Sequence, residues 1–368
     1  MILPQDNRLE ISRLSQIYNN TVATYKYYWF ISLLEIAVKE QRRRISFWKI
    51  IVGMIADAWY PIHYFRLSFG KSDSLYEQII ALQKELNIPI DAQKNEIKKQ
   101  LYNNIEKPRI KNLLRVFTLN VPYRFLSPWI RYTTDTDVVN QSRSFTNNCI
   151  YAIDGEYIEL NPSWQQYLNE HYVILHDFTF WNLTVFLQKR NPNVPDVSSK
   201  LVKPIQRDSL VRQHRFWDSY IDIVGSIKCI YTGKELHKKD YDLDHFIPWS
   251  FVSHNLLWNL LPADSKINSS KSNNLPSLEI YLRPFAKMHQ KALRELYPLN
   301  PNNKLLEDYL VIHKSISELV DYSDEDFFRI YQKTFTPMSQ IAENMGFTYW
   351  QNFFQNEKNQ KQSSFDRY

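Results

Sequence analysis

Residues 228–275 read KCIYTGKELHKKDYDLDHFIPWSFVSHNLLWNLLPADSKINSSKSNNL. Two short β-prone runs, Lys228–Tyr231 and Tyr241–Ile247, predict a β-ribbon, with Thr232-Gly233 supplying the bend that ends the first and Pro248 halting the second. Pro262–Lys271 then suits a short helix, with proline near its start and Asp264 placed to favour the first turn. On that frame, adjacent Asp244 and His245 point to opposite strand faces, whereas Asn268 and Lys271, three apart, share a helix face. That separation suits two jobs: a metal ligand must face the ion, and a general base must face the water. If the helix packs on the ribbon, Asp244 and Asn268 offer oxygen to one hard cation and leave its other positions to water and phosphate, as Mg²⁺ prefers. Such a site suits phosphodiester hydrolysis, with a neutral histidine taking the proton of the attacking water.

The residues around this segment set its context. In 368 residues there are only 6 glycines, at 53, 70, 155, 225, 233 and 346, so no glycine-rich phosphate loop exists and dinucleotide dehydrogenases and P-loop ATPases are excluded. Two cysteines, Cys149 and Cys229, are too few for a disulfide framework or a four-cysteine zinc site, which fits a reducing, cytoplasmic setting. No signal peptide is visible, and the apolar runs at 29–38 and 50–56 are too short for a membrane span. Helical periodicity marks Tyr25–Val38, Phe47–Tyr60 and Leu75–Leu86, and Pro122 and Pro128 interrupt the basic, aromatic segment Lys107–Trp129. Asp154-Gly155 between two alternating runs predicts a hairpin near 149–160. The expected fold class is α+β: a mostly helical chain carrying a small ββα unit and one further hairpin. Its expected domains are a helical one at 1–200, a nuclease domain at 201–290, a helical region at 291–355 and a disordered tail at 356–368, with the proline-punctuated run at 190–200 as the boundary signal.

The 228–275 segment resembles the HNH nucleases of the ββα-metal class, especially the HNH domain of RNA-guided DNA endonucleases. The likeness rests on Asp244-His245 followed by Phe246, Ile247 and Pro248, then Asn259, Asn268 and Lys271 at fourteen, twenty-three and twenty-six residues after the histidine. It implies that Asp244 and Asn268 bind the catalytic Mg²⁺ (or Mn²⁺) and that His245 activates water. It further implies that Asn259 holds the loop orienting the histidine and that Lys271 lies near the scissile phosphate. The zinc clamp of two C-x-x-C pairs found in many such proteins is impossible here, so Cys229 reads as a small buried hydrophobe. Asp242 reads as solvated ribbon charge, although it shares a face with Asp244. The resemblance covers about 50 residues, and the layout resembles bacterial proteins of anti-phage or restriction loci.

The charge balance, 45 basic against 39 acidic residues with 15 % aromatics, agrees with a DNA partner. Arg42, Arg43 and Arg44, with Lys107, Arg109, Lys111 and Arg124, are the candidate backbone contacts. A protein partner encoded nearby, or a homodimer, is a further expectation, and a membrane is not. The competing function is a nucleic-acid-binding or interaction subunit whose ββα unit only grips DNA.

Overall fold

A computed structural model describes residues 2–203 and 208–351; the tail expected at 356–368 lies outside the described residues. The chain divides into two compact units, the first holding residues up to 192 together with 196–203, the second holding 193–195 and the chain from 204 on.

The first unit is built on helices Tyr25–Lys39 and Phe47–His63, whose aromatic and aliphatic faces are buried, including Tyr28, Trp29, Phe30, Phe47 and Trp59. Gly53 lets the two helices approach: a Cβ there would stand 2.0 Å from the Ser32 Oγ, which donates to the Ile50 carbonyl at 2.9 Å. Helices Ser74–Leu86, Lys94–Asn104 and Pro108–Phe125 pack around this pair. The last of these runs straight through Pro122, where an interruption was expected. The buried Pro122 ring contributes to the apolar face and its carbonyl accepts from the Tyr151 hydroxyl at 2.6 Å, so burial outweighs the lost helical N–H.

The expected hairpin is present as β2 (Tyr151–Asp154) and β3 (Tyr157–Leu160), turning at Gly155, whose φ of 57° a side chain would resist. A strand that periodicity did not reveal, β1 (Arg44–Ser46), adds to the other edge of β3, giving the order β1-β3-β2 with Arg44 opposite Glu159.

The second unit begins with helix Val211–Val224 and contains two short ribbons. The first 228–236 stretch folds on itself: β4 (Ile227–Lys228) pairs with β5 (Glu235–Leu236). Gly233, at φ 73°, donates to the Cys229 carbonyl at 2.8 Å, and this tight turn reverses the chain before it can reach 241–247. The strand carrying the aspartate and histidine, β6 (Asp242–His245), pairs instead with β7 (Leu260–Ala263), with Asp244 opposite Leu261 and His245 opposite Leu260. That corrects the expected ribbon. β7 hides from sequence reading because all four residues are buried, so nothing alternates, and because it contains Pro262, which an edge strand tolerates. The predicted helix follows as Ser265–Lys271, its N-cap Asp264 accepting from the Lys266 N–H at 3.0 Å.

Helix Leu278–Leu296 spans the boundary drawn at 290 and 291, so the C-terminal helices share one core with the ribbon segment. Phe246 stacks on Phe285 with centroids 4.2 Å apart and meets Phe335 of helix Asp324–Asn344 edge-on. Cys229 is buried in this core, as a small hydrophobe would be. Burial at about 25 cal/mol per Å² over these aromatics steadies the ribbons. No helix among the described residues is long and apolar enough to cross a membrane.

Candidate active site

Strand β6 places Asp244 inward and His245 toward the half-exposed side, and helix Ser265–Lys271 packs against it. Asp244 is 3 % exposed, and each carboxylate oxygen has a partner: Oδ2 accepts from the Tyr231 hydroxyl at 2.7 Å and Oδ1 from the Lys271 ammonium at 3.0 Å. Burial pushes the Asp244 carboxyl above its ordinary range, and the Lys271 charge and the Tyr231 hydroxyl pull against it. The Tyr231 hydroxyl is driven well above the usual tyrosine range by burial and by the Asp244 charge, so it stays a donor.

Lys271 is 0 % exposed and also donates to the His245 carbonyl at 2.7 Å. The resemblance implied a lysine at the scissile phosphate; in this structure two of its three donors are held inside the site, on the aspartate and on the backbone of the histidine. Its helical neighbour Asn268 is half-exposed and donates to Asp242 Oδ2 at 3.4 Å. Asn268 therefore meets Asp242 rather than Asp244, and Asp242 belongs to the rim of the site instead of standing as plain solvated charge.

Asn259 is buried and clamps the loop after β6. Its Oδ1 accepts from the Ile247 N–H and its Nδ2 donates to the Ile247 carbonyl, both at 2.9 Å, while its backbone carbonyl takes the Phe246 N–H at 2.8 Å. Those three bonds fix the chain immediately after His245. The ring itself is set by a residue that no sequence signal marked: His245 Nε2 lies 3.0 Å from Asn255 Oδ1. Asn255 Nδ2 donates to the Asp208 carbonyl at 3.3 Å, so its oxygen is the end facing the ring. His245 must then donate from Nε2, which leaves the lone pair of the neutral ring on Nδ1.

The donors gathered here are two carboxylates and an amide, the oxygen chemistry of a hard cation such as Mg²⁺. Among the described residues no three of His, Cys, Asp or Glu gather as a metal cage, so water and phosphate oxygens must complete any coordination shell.

The basic residues expected at DNA are placed in the first unit, mostly beside partners of their own. Arg42 meets Glu40 at 3.1 Å, Arg43 meets Glu159 at 3.8 Å, and Arg44 meets Asp154 at 2.9 Å while covering the Tyr157 ring. Arg109 pairs with Glu85, Lys111 with Glu106, and Arg124 stacks 3.5 Å above Tyr132. Lys107 stands at the residue before helix Pro108–Phe125, with no capping bond from its side chain.

Residues 229–277 match the HNH endonuclease family. Two curated relatives are CRISPR-associated endonucleases Cas9. That of Listeria innocua is 26 % identical over 156 residues, 41 % of this chain and 11 % of the relative. That of Streptococcus mutans is 28 % identical over 93 residues, 24 % of this chain and 7 % of the relative. The chain thus aligns with about a tenth or less of the length of these relatives. No solved structure matches it significantly. With the aspartate and histidine on one strand, the asparagine clamp behind them and the family match across the same residues, the second unit carries an HNH endonuclease domain resembling that of Cas9.

Proposed function

We propose that the second unit hydrolyses DNA phosphodiester bonds with a divalent cation, Mg²⁺ or Mn²⁺. The observation that carries this reading is the fixed His245 ring, held in one tautomer by Asn255 and backed by the Asn259 clamp on a strand whose other face carries the buried Asp244. Asp244 and Asn268, with Asp242 at the rim, would hold the cation, which when bound neutralises charge developing on the scissile oxygens. His245 Nδ1 takes the proton of the attacking water, a contribution of about 10²- to 10⁴-fold. Asn259 and Asn255 keep that ring aimed, and Tyr231 and Lys271 orient Asp244 and favour its charged form against the effect of burial. With one fully buried carboxylate already countered by Lys271, cation affinity is low without DNA. A role in anti-phage defence or restriction, in the cytoplasm and with a protein partner or a second copy, accords with the similarity to Cas9.

Supercoiled plasmid incubated with the full chain and Mg²⁺ or Mn²⁺ tests the proposal. Nicked or linear product is expected, lost with excess EDTA and lost in His245→Ala while DNA binding persists. Intact plasmid under every metal condition rejects it in favour of a module that only grips DNA, and full cutting by His245→Ala rejects His245 as the base.

A further inference from the structure

Helices Val211–Val224 and Leu278–Leu296 pack against each other in the second unit, and two clefts follow one another along their seam. The larger, about 610 Å³, has Tyr220, Ile227 and Met288 in its lining and Lys228, Lys287 and Lys291 around it. The smaller, about 410 Å³, continues past Phe216 and Leu296 and carries Arg212 and Arg215. All five cations are exposed. The ion pairs of this unit fall elsewhere, on Lys234, Lys238, Lys271, Arg283, Arg294, Lys314 and Arg329; among the described residues none of the five closes one. Glu235 stands opposite Lys228 across the ribbon, Asp308 feels the Arg212 charge, and Asp218 and Asp222, on the helix of the two arginines, bond to Tyr241 and Lys238. The linings of the two clefts themselves hold five cations against one acid, Glu295, which leaves the seam electropositive.

We propose that this seam is the track along which a DNA strand lies on the nuclease unit. The inference rests on the DNA-hydrolase reading above and supplies a surface on the nuclease unit itself, since five of the seven basic residues expected at DNA, Arg42, Arg43, Arg44, Arg109 and Lys111, meet carboxylates. From Pro284 to Leu296 the helix runs about 18 Å, room for about five phosphates of one strand at about 3.4 Å each. Lysine and arginine ends reach backbone phosphates, and the apolar floor receives the sugar and base edges. The track also connects to the chemistry by chain: Lys228 is three residues before Tyr231, which holds Asp244.

The test is fluorescence anisotropy of a labelled DNA oligonucleotide with the full chain in EDTA, between 50 and 200 mM salt, so that binding is read without cutting. Each lost phosphate contact lowers the slope of log affinity against log salt by about 0.7 to 0.9. Lys228→Gln/Lys287→Gln/Lys291→Gln should therefore flatten the slope by about 2 to 3 and weaken binding about tenfold or more, and Arg212→Gln/Arg215→Gln should flatten it by about 1.5. Arg42→Gln/Arg43→Gln/Arg44→Gln should leave the slope within about half a contact. Thermal melting accompanies each variant, and if the triple lysine variant does not fold, Lys287→Gln/Lys291→Gln on the helix alone decides. An unchanged slope in the lysine variant, an equal loss in the Arg42–44 variant, or tighter lysine-dependent binding of RNA than of DNA overturns the track. The plasmid assay separates the two claims: a cut plasmid with an unchanged slope removes the track alone, and an uncut plasmid with the expected slopes removes the nuclease reading alone.

Discussion

Each unit holds an ionic cluster, and although burial raises one carboxyl in both, Asp57 in the first and Asp244 in the second, the two differ in how their cations are shared. In the first, Lys94 reaches Glu35 at 2.7 Å and Asp57 at 2.5 Å, Lys98 reaches Glu35 at 3.2 Å and Lys39 reaches it at 3.5 Å, so charge is shared across helices Tyr25–Lys39, Phe47–His63 and Lys94–Asn104. Burial raises the Glu35 carboxyl, but Lys94 and Lys98 outweigh it and bring it to about 2. In the second, Asp244 has one cation, Lys271, and both side chains are sealed, at 4 % and 0 % exposure. There burial wins and the carboxyl is pushed up. A shared, partly solvated network staples helices and tolerates loss of a member. A sealed pair is costly to assemble and costlier to break, which accords with a carboxylate fixed in place beside the proposed base.

Removing the lysine from each cluster measures that difference. Lys271→Ala leaves Asp244 buried without its counter-ion and should destabilise the second unit by about 3 to 5 kcal/mol, read as an earlier urea transition of the full chain. The double variant Asp244→Asn/Lys271→Met should recover most of that loss, because neither charge is then stranded. A loss under about 1 kcal/mol in Lys271→Ala would show the pair to be solvated and erase the contrast.

Tyr231→Phe comes next. It removes the hydroxyl that donates to Asp244 Oδ2 and should cost about 1.5 to 3 kcal/mol, the range for a hydrogen bond to a charged group. Lys98→Met, the matching change in the shared network, should cost under about 1 kcal/mol, since Glu35 keeps Lys94 and Lys39. Equal losses in these two variants would mean that sharing does not buffer the first unit.

Much of this was legible beforehand where local chemistry decides. Asp264 capping its helix and the Asp154-Gly155 turn follow from rules that act over a few residues, whereas Asp244, His245, Asn259 and Asn268 were marked by the resemblance to HNH nucleases. Pairing across distance was not legible. β7 has no alternation to read, and the Thr232-Gly233 turn closed a smaller ribbon than expected. Asn255 sits in a loop ten residues from the ring it orients, with nothing in its neighbours to mark it. A charge run likewise does not show which partners the fold brings beside it. Arg42–Arg44 is conspicuous as a tripeptide, yet β1 brings Glu159 and Asp154 beside it, whereas Lys228, Lys287 and Lys291 are scattered in sequence and meet only in the fold.

The units should respond alike to acid, which tests whether their contrast is confined to the ion pairs. Each buries one neutral histidine: burial lowers His63 to about 4 in the first and His289 to about 3 in the second. Unfolded histidine titrates near 6.5, so as pH falls below that value the unfolded chain takes up a proton that neither native ring accepts, and stability is lost with acidification. Between pH 7 and pH 6 each ring should remove about 0.7 kcal/mol, and the loss continues until the native rings titrate near 4 and 3. His63→Phe should flatten the dependence of the first transition only, and His289→Phe that of the second. If the second transition instead strengthened on acidification in the wild type, protonation of the upward-shifted Asp244 would be governing it, and the sealed pair would be less secure than its geometry indicates.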